Sequence, residues 1–295
     1  MELKVKAEKK PKSNLKSKKR QDLIVKIVVH FFLIFFSILF TFPFLWMLFT
    51  ALKTPQEIIQ GVDSFFPKNP QWSNFSLALS KIPFLLYLKN TLLIVILVMI
   101  GTLFSATTAA YAFAKLDWKG REKWFIVLLS TMMIPLQILL IPTYIMYDKL
   151  GFLGTRIPLI LPAFLGGGAA FYIFLMRQFF KGIPKELSES AIMDGANHFQ
   201  IFFKIILPLS KPALITVALF TFMGVWNDYF GPLIFLENPD QWTLAIGLRA
   251  FQNQHGGRFD LLMAVSIIIM LPTLILYFLT QKTFVEGIKF TGIKG

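Results

Sequence analysis

Only 16 carboxylates serve this chain of 295 residues, and their placement is selective. Asp228 stands inside a long apolar run, while Glu186, Glu189 and Asp194 crowd one polar stretch, residues 183–208, between that run and the one before it. A carboxylate within an apolar, membrane-length segment is costly, so Asp228 must face a bundle interior, an aqueous cavity or a cationic partner. It follows Trp226 and Asn227 and precedes Gly231-Pro232, a pair able to break helical hydrogen bonding and free carbonyls. Two readings stand side by side. Either Trp226, Asn227 and Asp228 line a path through the bundle, with Trp226 offering a flat apolar face, or Asp228 pairs with another helix or caps the break.

Other chemistries find little support. Histidines occur only at positions 30, 198 and 255, too scattered for a metal site, and cysteine is absent, which removes disulfides and thiolate ligands. The apolar segments hold no paired His/Asp groups and the chain has no Gly-x-Ser-x-Gly elbow, which argues against a membrane-embedded hydrolase or transferase. With no G-x-x-x-x-G-K-[ST], the chain cannot bind ATP through a Walker A loop.

The elements that position these residues follow from composition. With 55% hydrophobic residues, 16% charged and 33 Phe, the chain is too apolar for a soluble domain. A bilayer-crossing helix needs about 20 mostly apolar residues. Six windows qualify: Ile27 to Leu52, Asn90 to Ala114, Trp124 to Tyr147, Ile157 to Met176, Pro212 to Leu236 and Leu261 to Gln281. No barrel-type alternation is visible, so the expected fold is all-α, a polytopic membrane protein with six transmembrane helices.

The net charge of +14 is concentrated beside these windows, where it reports orientation. A basic start, from Lys4 to Arg20, holds the N-terminus on the cytoplasmic side. Six crossings then return the C-terminus there, together with Lys115 to Lys123 and the polar stretch after the fourth window. Ile27 to Leu52 is too long for a signal-peptide core and reads as a retained first helix. The organisation expected is a disordered basic tail over 1–22 and one membrane domain over 23–295, with the polar loop at 181–210 between helices 4 and 5.

Within that loop, Gly182-Ile183-Pro184 reads as a helix start, with Glu186 near the positive end of the helix dipole. Ile183, Leu187 and Ala191 share one face, and Glu186, Glu189 and Met193 another. Gly195 suits the left-handed turn that ends a helix, and Asn197 with Gln200 forms a capping-box pattern for the next. Phe199, Phe202, Phe203 and Ile206 make an apolar stripe that Pro208 is expected to stop. The sum is a helix-turn-helix exposing carboxylates at its bend; an ordinary amphipathic interfacial hairpin shares the same periodicity.

Small residues at Gly101, Ser105 and Ala109, and over Gly166 to Ala170, let helices approach closely; close packing is the expected role, ahead of a glycine hinge. Pro135, Pro142 and Pro272 are expected to kink their helices.

The order Glu189, Ala191, Asp194, Gly195 and Ala196, followed by an aromatic helix and Leu207-Pro208, resembles the cytoplasmic coupling loop of ABC-importer permeases. Ser190 stands where that pattern has a second alanine. Further matches are Asn90-Thr-Leu, Ala110 to Lys115, Met133 to Gln137, Leu150 to Thr155, Trp226 to Leu233, Gln281 to Gly287 and the terminal Lys294-Gly295. Together they are similar to the carbohydrate-uptake branch, specifically the second permease of maltose and glycerol-3-phosphate type importers.

The resemblance implies an ATP-driven sugar importer in the cell membrane of a prokaryote, with this chain forming half of the path. It implies that Glu186, Glu189, Ala191, Asp194, Gly195 and Ala196 meet the ATPase, with Glu189, Asp194 and Gly195 in a cleft on that subunit. Trp226, Asn227 and Asp228 are the substrate-path candidates. Implied partners are a second permease, a dimeric ATPase that holds the ATP and Mg, and an extracytoplasmic binding protein. No cofactor is expected in this chain. An ion-driven secondary transporter is the rival within transport, opposed by the single intramembrane carboxylate; a scaffold that only anchors an ATPase is another.

Overall fold

The computed structural model describes residues 13–61, 65–254 and 257–291; at 13–19, 136, 253 and 282–291 it describes the backbone alone. The described residues are overwhelmingly helical, with no strand among them. The expected tail falls partly outside them. Its remainder belongs to the first helix, α1, which runs Ser13–Ala51 and carries Pro43 within it. The apolar side chains from Leu23 to Trp46 are exposed on every side of α1, as befits a helix surrounded by lipid or by other membrane chains.

Two short helices follow. In α2, Pro55–Ile59, Thr54 and Glu57 form a reciprocal capping box. In α3, Ser73–Ser80, buried Asn74 donates to the carbonyls of Ala51 and Lys53 at 2.9 and 3.0 Å, satisfying the otherwise unpaired end of α1.

The central element is α4, Phe84–Lys115. Its small residues allow close approach as expected: a Cβ on Gly101 would lie 2.7 Å from the ring of Phe164, and Ser105 donates to the Ala163 carbonyl at 2.7 Å. Next come α5, Arg121–Ser130, a 3-10 turn at Thr131–Met133, and α6, Leu136–Lys149. The third window is therefore a broken pair, bent by 99°. The break is at Pro135, with Ile134 extended before it, while Pro142 is carried inside α6.

The fourth window divides as well. Its halves are α7, Ile157–Phe164, and α8, Ala170–Gly182. Gly166 and Gly168 take φ of +78° and +74°, conformations that end a right-handed helix, so these two serve a break, while Ala169 and Ala170 are buried in close packing as expected.

The polar loop holds α9, Lys185–Met193, and α10, His198–Ile201, which continues through a π-turn at Phe202–Ile206 into α11, Leu207–Leu209. After a 79° bend comes α12, Lys211–Trp226. Then follow α13, Phe230–Phe235, a 3-10 turn at Pro239–Gln241, α14, Leu244–Gln254, and α15, Phe259–Thr291. Three described helices are long and apolar enough to cross a membrane, or up to five elements if each bent pair counts as one. The six transmembrane helices expected from composition are thus only partly realised. The reason is local: glycines at 166–168 interrupt the fourth window, and the fifth breaks at Asn227-Asp228, ahead of the Gly231-Pro232 pair where a break was expected and which lies inside α13.

Among the described residues three buried clusters hold the helices together, the smallest formed by Ile94, Val98, Ala163 and Leu236. Of the two larger, one joins α4, α8, the π-turn and α12 through Ala106, Met176, Phe180, Ile206 and Val217. The other gathers Tyr87, Val95, Trp226, Phe251 and Val265 from α4, α12, α14 and α15.

Candidate functional site

The carboxylate loop is closed at both ends of its turn. Beyond α9, Gly195 sits at φ +83°; the Ala196 N–H reaches the Ala191 carbonyl at 2.9 Å and the Gly195 N–H reaches that of Ile192 at 2.9 Å. That paired closure satisfies carbonyls the helix leaves open. The next helix opens with the anticipated capping box: the Gln200 N–H donates to Asn197 Oδ1, and the Asn197 N–H to Gln200 Oε1, both at 2.9 Å. Glu186, Glu189 and Asp194 are exposed around this frame, and among the described residues none of them forms a salt bridge.

The loop's inward face is not the one periodicity suggested. Ile183 is buried and Ala191 half-buried, but Leu187 is exposed, as are Ile192 and Met193. The stripe after the turn also splits: Ile201, Phe202 and Ile206 are buried, whereas Phe199 and Phe203 are exposed. The π-turn at Phe202–Ile206 shifts the phase beyond Phe202, while Phe199, in α10 before it, faces out from ordinary helix. Pro208 has no N–H to offer and its ring crowds the carbonyl four residues back, so the chain widens by one residue per turn and the phase shifts. Pro208 is absorbed, not a stop; the helix runs on to Leu209.

Residues outside the loop fix it to the bundle. The Lys115 ammonium donates to the Ile183 carbonyl at 2.8 Å, and the Tyr111 ring packs at a tilt against Phe202, centroids 5.1 Å apart, while its hydroxyl meets His198 at 3.4 Å. Beneath them Arg177, only 3% exposed, donates to Glu122 at 2.5 Å and to the Phe113 carbonyl at 3.1 Å, with its guanidinium 3.8 Å from the Phe125 ring centroid. Sequence reasoning counted Arg177 as an orientation charge and missed this anchor. An arginine just past an apolar window, with a glutamate near the start of the preceding one, was the available signal.

At the break between α12 and α13, Asp228 Oδ1 accepts the Gly231 N–H at 3.1 Å, so its side chain caps the interruption. It also lines an enclosed cavity of about 40 Å³ with Thr91, Val225, Pro232 and Thr243, whose hydroxyl is buried without a partner. A space that small cannot admit a sugar ring, since ligand pockets run to hundreds of Å³. Trp226 is buried against Phe222, and its indole N–H donates to the Ile269 carbonyl at 3.1 Å, while Asn227 is exposed and donates to the Met223 carbonyl at 2.8 Å. The three path candidates therefore point to different surroundings.

Near the break, Asn90, which the sequence singled out only as part of the Asn90-Thr-Leu match and without a role, forms a junction. Its amide donates to the carbonyls of Asp240 and Trp242 at 2.8 and 3.0 Å and its oxygen accepts from Arg156 at 2.8 Å, while the neighbouring Thr91 hydroxyl accepts the Leu244 N–H at 2.9 Å. The segments at 282–287 and 294–295, which carried part of the resemblance, lie outside the residues whose side chains are described.

Membrane-length apolar helices, with a capped acidic turn among the shorter helices between the second and third of them, fit a membrane transport permease. The chain belongs to the family described as the binding-protein-dependent transport system inner membrane component, whose model matches residues 106–289. It is 32% identical to the arabinooligosaccharides transport system permease protein AraQ of Halalkalibacterium halodurans, over 88% of this chain and 94% of that one. It is 31% identical to the lactose transport system permease protein LacG of Rhizobium radiobacter, over 83% of this chain and 88% of that one. Its fold matches a chain of a bacterial ABC transporter involved in import of the acidic polysaccharide alginate, with a TM-score of 0.78 and 26% identity over 89% of this chain and 97% of that one. The relatives are carbohydrate ABC-transporter permeases.

Proposed function

We infer that this chain is the permease subunit of an ATP-driven importer that takes up a carbohydrate delivered by an extracytoplasmic binding protein. Family membership and relatives named for arabinooligosaccharides and lactose support the carbohydrate reading. The same comparisons favour an ATP-driven importer over an ion-driven secondary transporter.

The observation that carries the mechanism is the acidic turn, rigid in its backbone and unpartnered in its carboxylates. In this reading Glu186, Glu189, Ala191, Asp194, Gly195 and Ala196 seat in a cleft on a separate ATPase, which holds the ATP and Mg. Ala191 and Ala196 pack against the buried cluster under the loop, so a push on the turn is delivered to α4, α8 and α12 as one body. Exposed Phe199 and Met193 give the ATPase an apolar rim. Closing of the motors then biases the helices between inward-open and outward-open states. Six crossings place both termini in the cytoplasm, with the windows broken at 135, 166–168 and 227–229 each crossing once. A second permease completes the path. Asn227, exposed beside the Asp228 cap, is the path residue best placed to meet a sugar, with Asp228 and Trp226 shaping the wall behind it.

The test is uptake. Deleting the gene should abolish uptake of one labelled oligosaccharide from a panel of arabinan, galactoside and uronide oligomers, and Asn227→Ala should reduce that uptake while the protein stays in the membrane. Unchanged uptake of every carbohydrate in the panel would contradict the sugar reading.

A further inference from the structure

Beside the acidic turn, a cleft of about 900 Å³ opens between the end of α4, the 115–121 segment and α9. Lys115, Arg121, Lys181 and Lys185 all line it. Two carboxylates share the lining, and their effects differ. Asp117 is taken up by Arg121 at 2.8 Å, leaving Glu189 as the one lining carboxylate without a salt bridge among the described residues. Lys181 approaches Glu122 only at 3.8 Å, and that carboxylate already accepts from Arg177.

The remaining cations are poorly served. Lys115 is half-buried and makes a single hydrogen bond, to the Ile183 carbonyl, though an ammonium has three protons to donate. It lies close enough to Lys185 for the two charges to repel, with Glu186 as partial relief. The Ser188 hydroxyl, on the same wall, is buried with no partner. A half-buried ammonium at Lys115, the exposed ammonium of Lys185 near it and an idle donor around one cavity are what an oxyanion would relieve, because each oxygen accepts several charge-assisted bonds. Trp118 stands at the rim, partly exposed, with its indole N–H on the Ala112 carbonyl at 3.1 Å. Tryptophan in that setting marks the headgroup level of a bilayer, and basic pockets between membrane helices hold phosphate headgroups.

We propose that this cleft is a phosphate-binding site in which Lys115, Lys185 and Ser188 hold the phosphate of an anionic phospholipid headgroup or of a free phosphate compound. It goes beyond the transport reading, which places one residue of the same lining, Glu189, on the ATPase. Occupancy ties the end of α4 to the start of α9, so bound phosphate stiffens the acidic turn.

The test uses the full-length chain, purified with the subunits that accompany it, in nanodiscs of phosphatidylcholine alone or of equal phosphatidylcholine and phosphatidylglycerol. Native mass spectrometry counts retained phosphatidylglycerol, and thermal unfolding in pure phosphatidylcholine is followed with and without inorganic phosphate. Retained phosphatidylglycerol that falls about thirtyfold in Lys115→Gln/Lys185→Gln, a factor of about five for each lysine, establishes a lipid source. Stabilisation by inorganic phosphate that the same variant loses, without retained lipid, establishes a free source. The exposed pair Lys181→Gln/Lys185→Gln and the single Ser188→Ala serve if the first variant does not assemble, and each should weaken binding. Equal binding in wild type and variants, no binding of either probe, or crosslinking of an acidic segment of a partner protein into the cleft would overturn the proposal.

Discussion

Asp228 and Gly231 are fitted to one another: the carboxylate accepts the glycine N–H at 3.1 Å, and a Cβ on Gly231 would lie 2.5 Å from the second carboxylate oxygen. The pair fixes where α12 ends and α13 begins. Asp228→Asn retains an acceptor for that N–H, so the subunit should assemble with a loss of at most about 1 kcal/mol, the worth of a helix cap. Asp228→Leu removes the acceptor, and Gly231→Ala displaces it; both should lower the thermal midpoint more than Asp228→Asn does. Uptake lost in Asp228→Asn with assembly intact would assign the carboxylate to the path as well as the cap.

Gly195 holds φ +83° with nothing near the position of a Cβ, so substitution there meets backbone strain and no clash. Gly195→Ala should cost about 1–2 kcal/mol locally. Gly195→Pro fixes φ near the opposite sign and deletes the N–H that closes on Ile192. Co-purification of the ATPase should be weakened by alanine and abolished by proline while the chain remains inserted. Full ATPase retention in Gly195→Pro would remove the turn from the interface.

Gly101 packs its backbone against the Phe164 ring. Gly101→Val should separate α4 from α7 at a cost of about 1–3 kcal/mol, the range for overfilling a packed contact. Phe164→Leu should recover part of it. A double-mutant cycle on thermal unfolding measures the coupling, and additive effects would show that the two positions are independent.

Glu57 caps the start of α2 and also accepts the Lys68 N–H at 3.0 Å. The backbone N–H of Thr54 foremost, with burial opposing it and Lys68 assisting, holds its carboxyl below the usual glutamate range. A lowered folded-state value means the tie is fully present above the ordinary glutamate range and is lost as pH falls through the depressed value. Protease nicking between Thr54 and Lys68 should therefore rise with acid in wild type, and be high at every pH in Glu57→Ala.

Much of the loop was legible because its signals are local. The Asn197/Gln200 box and the Gly195 turn are set by residues within three positions of one another, and both formed as read. The aromatic stripe was misread in part because a π-turn at Phe202–Ile206, ahead of Pro208, changes the residues per turn; Phe199 and Phe203 face out while Phe202 and Ile206 face in. The fourth window looked continuous because hydropathy scores glycine as nearly neutral, whereas Gly166 and Gly168 spend their freedom on ending α7. Arg177 and Asn90 join segments far apart in sequence, Arg177 to Glu122 and Asn90 to Asp240, and no spacing rule announces such contacts.

The proposed mechanism centres on the exposed acidic turn, and Glu189 is its most direct probe. Affinity capture of the tagged chain from solubilised native membrane, read by mass spectrometry, should bring down an ATPase and a second permease. The Glu189→Arg chain should keep the permease and lose the ATPase. Capture of this chain alone, or of an ATPase equally from wild type and Glu189→Arg, would contradict the account.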